Sequence, residues 1–123
     1  MLIGELARRT SVSTRLLRYY EEQGLLQPQR DALGYRSYAD DAPEQVGHIR
    51  DMLAAGLSTE DIRSLLPCTI DHANKWIQAC DASLGIVENR HGDLDRKIAE
   101  LEQQRERLTA KRTSIRAAMP AAH

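Results

Sequence analysis

Between Arg8 and Tyr20 the chain carries Arg8, Arg9, Arg15 and Arg18 and no acid, and Tyr19 and Tyr20 close the stretch. The other two tyrosines, Tyr35 and Tyr38, flank Arg36 a short way on. Guanidinium groups set among phenol hydroxyls suit a polyanion. Their charge attracts phosphate, the planar fork bonds it in two places, and the hydroxyl adds a neutral donor. The same residues would also serve as the solvated face of a helix. A second chemistry-bearing set is Cys68, His72 and Cys80. A thiolate and an imidazole four residues apart suit Zn²⁺ or a softer ion. A thiolate near a cation such as Lys75 is nucleophilic and oxidisable. Free cysteines also act as small apolar fillers. All three readings of the cysteines stay open.

Other chemistry is excluded. The sequence has no nucleotide-binding loop, no Ser/His/Asp arrangement and no paired catalytic carboxylates, so no enzyme and no cofactor is expected. At 123 residues the chain holds one compact domain, or a small domain plus one extended element. With 17 basic and 18 acidic residues, net charge says nothing of a nucleic-acid partner, and the local distribution has to. Two cysteines cannot make a disulfide framework, and no apolar run approaches a membrane span. A cytoplasmic protein with no membrane partner is expected.

The elements that must hold the basic stretch follow from spacing. Ile3, Leu6 and Ala7 recur at helical period and predict a first helix of about two turns. Thr10-Ser11-Val12-Ser13 breaks it, and Ser11 or Ser13 is placed to cap a second helix. That helix is expected to run to about Gln23, bury Leu16, Leu17 and Tyr20, and stop at Gly24. Two short helices across a tight polar turn form a helix-turn-helix. Residues 26–39 read as a two-stranded hairpin, with Gly34-Tyr35-Arg36-Ser37-Tyr38 alternating as a strand does. Within it, Tyr38 either packs under the hairpin or joins Tyr35 and Arg36 at the surface. A third helix begins in Asp40-Asp41-Ala42-Pro43-Glu44 behind an acidic cap, turns Val46, Ile49, Met52 and Leu53 inward and ends at Gly56. A fourth, capped by Ser58 to Asp61, carries Ile62, Leu65 and Leu66 and stops at Pro67. Trp76 is the large apolar group expected to anchor the C-terminal half of the chain to these four helices.

From Leu84 onward the pattern changes to a heptad. Every d position is apolar (Val87, Leu94, Leu101, Leu108, Ile115), but only two of five a positions are (Leu84 and Ile98), the others being His91, Arg105 and Arg112. A helix over this stretch would be about 48 Å long. It cannot fold back on its own apolar stripe, so the stripe requires a partner helix, and a second copy of the chain supplies one. Val87, Leu94, Ile98, Leu101, Leu108 and Ile115 are the expected dimer interface.

Five fragments now stand in a fixed order: Ile3-Gly4-Glu5-Leu6-Ala7, Val12-Ser13, Leu17-Arg18-Tyr19-Tyr20-Glu21, Gly24-Leu25-Leu26 with Pro28, and Gly34-Tyr35-Arg36-Ser37-Tyr38. In this order and spacing the chain resembles the MerR family of bacterial transcription regulators over essentially its whole length. The resemblance implies a mainly α fold, a winged helix-turn-helix DNA-binding domain followed by a long C-terminal dimerisation helix in an antiparallel coiled coil. The expected division is 1–67 for the DNA-binding domain, 68–83 for the linker and start of the dimerisation region, and 84–117 for the coiled-coil helix. It further implies a homodimer that binds a pseudo-palindromic operator in double-stranded promoter DNA and distorts it to control RNA polymerase. Sequence-dependent deformation of this kind costs of the order of 1–6 kcal/mol.

Position by position, Ser13, Thr14, Arg15 and Arg18 match the family's exposed recognition face, with Tyr19 beside them. Tyr35 and Arg36 match the wing positions that grip the DNA backbone. Metal-sensing relatives carry a cysteine at about the position of Cys80, but they complete the site with cysteines after the dimerisation helix. Here that helix is followed by Met119-Pro120-Ala121-Ala122-His123, so no metal site is expected. Cys68 and Cys80 remain candidate sensor thiols, and no effector is identified.

Overall fold

The computed structural model describes residues 1–66 and 80–121. Pro67, Cys68, His72, Lys75 and Trp76, given roles above, lie outside the described residues. The chain divides into two units, Met1–Ile86 and Val87–His123. The fold is mainly helical, with a helix-turn-helix, a small β wing and a long C-terminal helix.

In the first unit, α1 (Ile3–Thr10) ends where Ser11 takes a left-handed φ of 56°, and α2 (Thr14–Glu22) starts three residues later. Ser13 is the N-cap: its Oγ accepts the Leu16 N–H at 3.1 Å, meeting one backbone donor that helical geometry leaves unpaired. Gly24, at φ +74°, lets the chain leave α2, and its N–H donates to the Glu21 carbonyl. The wing is shorter than expected. β1 (Gln29–Arg30) and β2 (Arg36–Ser37) pair antiparallel through Gln29↔Ser37 and Arg30↔Arg36. Its turn is held by Asp31, whose Oδ1 accepts the N–H groups of Leu33 (2.9 Å) and Tyr35 (3.0 Å). Beyond β2 the Tyr38 N–H donates to the Met1 carbonyl at 2.7 Å and the ring is buried, so Tyr38 packs under the hairpin.

Helices α3 (Ala42–Ala54) and α4 (Thr59–Leu65) close the core. Asp41 occupies the N-cap position of α3, but its side chain makes no capping hydrogen bond; Pro43 and Glu44 lie in the first turn. A full capping box opens α4, in which Ser58 Oγ accepts the Asp61 N–H (3.0 Å) and Asp61 Oδ2 accepts the Ser58 N–H (3.4 Å). The core joins Leu6, Leu17, Tyr20, Leu25, Leu26, Tyr38, Val46, Ile49, Ile62 and Leu65. One expected member is missing. Leu16 is exposed, because α2 turns only the line Leu17, Tyr20 and Glu21 inward, and Leu16 stands a residue's rotation away beside Tyr19.

The last helix, α5 (Asp81–Ala118), is 38 residues long and extends a little beyond the expected limits. Leu84, Val87, Leu94, Ile98, Leu101, Leu108 and Ile115 are all exposed on it. Among the described residues no helix is long and apolar enough to cross a membrane.

The Tyr38 hydroxyl is buried and has no hydrogen-bond partner among the described residues. Tyr38→Phe removes a desolvated polar group and should leave the unfolding free energy unchanged or raise it by up to about 1 kcal/mol. Urea denaturation checks this, and a loss of stability would show that the hydroxyl is bonded.

Candidate nucleic-acid interface

The basic stretch splits in two on folding. Arg8 and Arg9 turn back to Glu5 within α1, at 3.4 and 3.0 Å. Arg15 and Arg18 are exposed on α2 and have no ion pair among the described residues. They are three residues apart and so share a face. With Tyr19 and Glu22 they line a shallow open groove, and Arg18 borders a second groove with Glu21, Glu22 and Arg36. Arg18 is therefore where the outer face of α2 meets the wing.

Tyr19 and Tyr20 are adjacent in sequence and opposite in environment. Tyr19 is exposed, and its ring lies 6.4 Å from that of Tyr20, tilted by 52°. Tyr20 is in the core, and burial raises its phenol pKa above the ordinary value despite the opposing charge of Arg50. Of the two, only Tyr19 presents a hydroxyl to a ligand. Thr14 is half-buried at the first position of α2, and Ser13, although exposed, has its Oγ engaged as the cap. On the wing, Tyr35 is 64% exposed beside the Asp31-organised turn. Arg36 pairs with Glu21, Nη1 to Oε2 at 3.2 Å. The sequence reading gives Glu21 no role of its own. The signal that finds it is its phase, four residues after Leu17 and one after Tyr20, on the inward line of α2.

Of the candidate sensor residues, Cys80 is described and is exposed. Its Sγ lies 3.3 Å from Ser83 Oγ, while Ser83 itself is buried. The Cys80 pKa is lowered, first by the Ser83 hydroxyl and then by backbone N–H groups of Ser83 and Ala82 at the start of α5. Among the described residues, no group of three or more His, Cys, Asp or Glu side chains is placed to hold a metal.

A helix-turn-helix with a β wing and arginines free of ion pairs on its second helix is the architecture of a DNA-binding regulator. The family comparison agrees. Residues 1–68 match the MerR HTH family regulatory protein model, and residues 44–111 match the model described as MerR, DNA binding. The chain belongs to the MerR family and is a DNA-binding transcription regulator, not an enzyme. It is 35% identical over 107 residues to the HTH-type transcriptional regulator ZntR of Escherichia coli (strain K12), covering 86% of this chain and 74% of that protein. Among solved structures it is similar to HiNmlR, a MerR family regulator lacking the sensor domain, bound to promoter DNA. That match has a TM-score of 0.59 and 25% identity, over 95% of this chain and 90% of the other. The fold is also that of PbrR691 from Ralstonia metallidurans CH34, solved in complex with lead(II), at a TM-score of 0.66 and 23% identity, over 100% of this chain and 91% of the other.

In a Cys68→Ser background, alkylation by iodoacetamide should report Cys80 alone. Its rate should rise with pH at a lower midpoint than an ordinary thiol shows, and Ser83→Ala should move that midpoint upward. An unmoved midpoint would remove Ser83 as the cause.

Proposed function

We propose that this regulator binds double-stranded promoter DNA as a homodimer, reads it with the outer face of α2 and grips its backbone with the wing. Arg15 and Arg18 are the base and phosphate contacts, Tyr19 offers its hydroxyl to a phosphate, and Ser13 and Thr14 lie at the helix start nearest the DNA. Tyr35 and Arg36 hold the flanking backbone. The observation that carries this reading is the meeting of Arg15, Arg18 and Tyr19 with Arg36 around two adjoining open grooves. It is supported by HiNmlR, which is similar over nearly its whole length and was solved on promoter DNA. A DNA partner in bacteria also supports a cytoplasmic location.

Dimerisation rests on α5. At about 57 Å, the helix leaves an apolar stripe that one helix cannot bury, and a second copy running antiparallel covers it. Two DNA-binding units related by a twofold axis fit a pseudo-palindromic operator. Distortion of that operator then sets how RNA polymerase engages the promoter. The division of labour is that of residues 1–67 for DNA, 68–83 for connection and 84–117 for pairing. Cys80, exposed and with a lowered pKa, is the described thiol best placed to take an effector, with Cys68 the second candidate. In-vitro transcription at fixed operator occupancy tests the regulatory step: open-complex formation should change when the effector is added.

Two substitutions test the two surfaces. Arg18→Ala should weaken binding to a selected operator by about 1–3 kcal/mol while leaving thermal unfolding unchanged; unaltered affinity in a mobility-shift titration removes Arg18 from the site. Leu101→Asp sets a carboxylate in the proposed apolar seam, and an unpaired buried charge of this kind costs about 3–5 kcal/mol. Sedimentation should show monomer where the native chain is dimeric, and a persisting dimer would place the interface elsewhere.

A further inference from the structure

The Glu21–Arg36 pair joins the last turn of α2 to β2, and its two members are unequally buried. The Glu21 side chain is 11% exposed and that of Arg36 49%. Of the Glu21 carboxylate, Oε2 meets Arg36 and Oε1 is buried with no hydrogen-bond partner among the described residues. A carboxylate in this position is a poor source of stability, since an apolar residue on the inward line of α2 would avoid its desolvation. It does fix one thing, the place of a guanidinium. Its own backbone is anchored: the Glu21 carbonyl accepts the Gly24 N–H, and Arg63 Nη1 donates to the Gln23 carbonyl at 3.0 Å. The wing strands are two residues each and cannot set their own pitch. Arg36 bonds Glu21 through one Nη and has further donors on a half-exposed side chain.

We infer that Glu21 is a positioning residue for DNA binding, whose buried carboxylate holds the Arg36 guanidinium at a fixed offset from Arg18 so that α2 and the wing meet the same duplex in register. The inference rests on the proposed contact of Arg36 with the DNA backbone. Its sign sets it apart from simple electrostatics. Removing a negative charge beside a phosphate-binding surface strengthens binding by Coulomb's law alone. Removing a positioning group weakens it.

The test uses the full chain and a duplex selected from a random-sequence pool by the native protein, with affinity measured as a function of salt. Glu21→Gln should weaken binding roughly tenfold and make the slope of log affinity against log salt shallower by about 0.9, the equivalent of one lost phosphate contact. Arg36→Ala should do the same, and Glu21→Gln should add nothing in the Arg36→Ala background. Glu21→Asp, which keeps the charge and shortens its reach, should also weaken binding, and it serves as the test if the glutamine variant does not fold. Unchanged or tighter binding in the Glu21 variants, with Arg36→Ala still impaired, overturns the positioning role and leaves the Arg36 contact standing. Equal losses from Glu21→Gln with and without Arg36 overturn it too, since Glu21 would then act through the fold. If Arg36→Ala changes neither affinity nor slope, both the wing contact and the role of Glu21 are overturned.

Discussion

A helix has one degree of freedom that matters to its partners, rotation about its own axis, and in α2 burial of Leu17 and Tyr20 fixes it. Once those two side chains enter the core, the helical repeat of about 100° per residue sends Arg15, Arg18 and Tyr19 outward. Each of the two residues is worth about 1.5–3 kcal/mol of apolar burial, more than any surface pairing of the arginines could return. The exposed face is thus set from the inside. The rest of the first unit keeps the rotation in place: Ser13 fixes where the helix begins, Gly24 where it ends, and Arg63 from α4 holds the carbonyl of Gln23.

The same constraint explains what was legible from the residues alone. Strong periodicity and breakers located the five helices of the described residues, because Ser13, Gly24, Ser58 and the heptad after Leu84 are local signals that folding does not override. Leu16 was misjudged for a reason of geometry. Three apolar residues within one turn of α2 suggest a broad buried face, but α2 packs along a narrow line. The third inward place goes to a charged residue, Glu21, which hydropathy alone assigns to solvent. The wing was legible as a turn between alternating residues, whereas its two-residue strands reflect a ladder limited by the Asp31-centred turn. Ser13 was readable both as a cap and as part of the recognition face, and its hydroxyl is engaged as the cap.

The heptad read from the sequence falls on one continuous helix, α5. The apolar d positions are visible in the heptad and exposed on α5. The polar a positions, among them His91 with its Asp95 neighbour at 3.3 Å, give one edge of the stripe a polar border. A seam apolar along only one of its two rows binds less tightly than a full zipper and leaves its register easier to shift.

The pairing of Arg8 and Arg9 with Glu5 has a consequence for the search through a genome. Non-specific affinity for DNA grows with the number of phosphates a protein can neutralise, and chromosomal DNA offers on the order of a million or more competing sites. A chain of net charge −1 that answers the two arginines of α1 with an acid of its own keeps its attractive field local and weak at a distance. A weak field at a distance favours release from unrelated sequence and concentrates binding where the shape and bases of the duplex also fit.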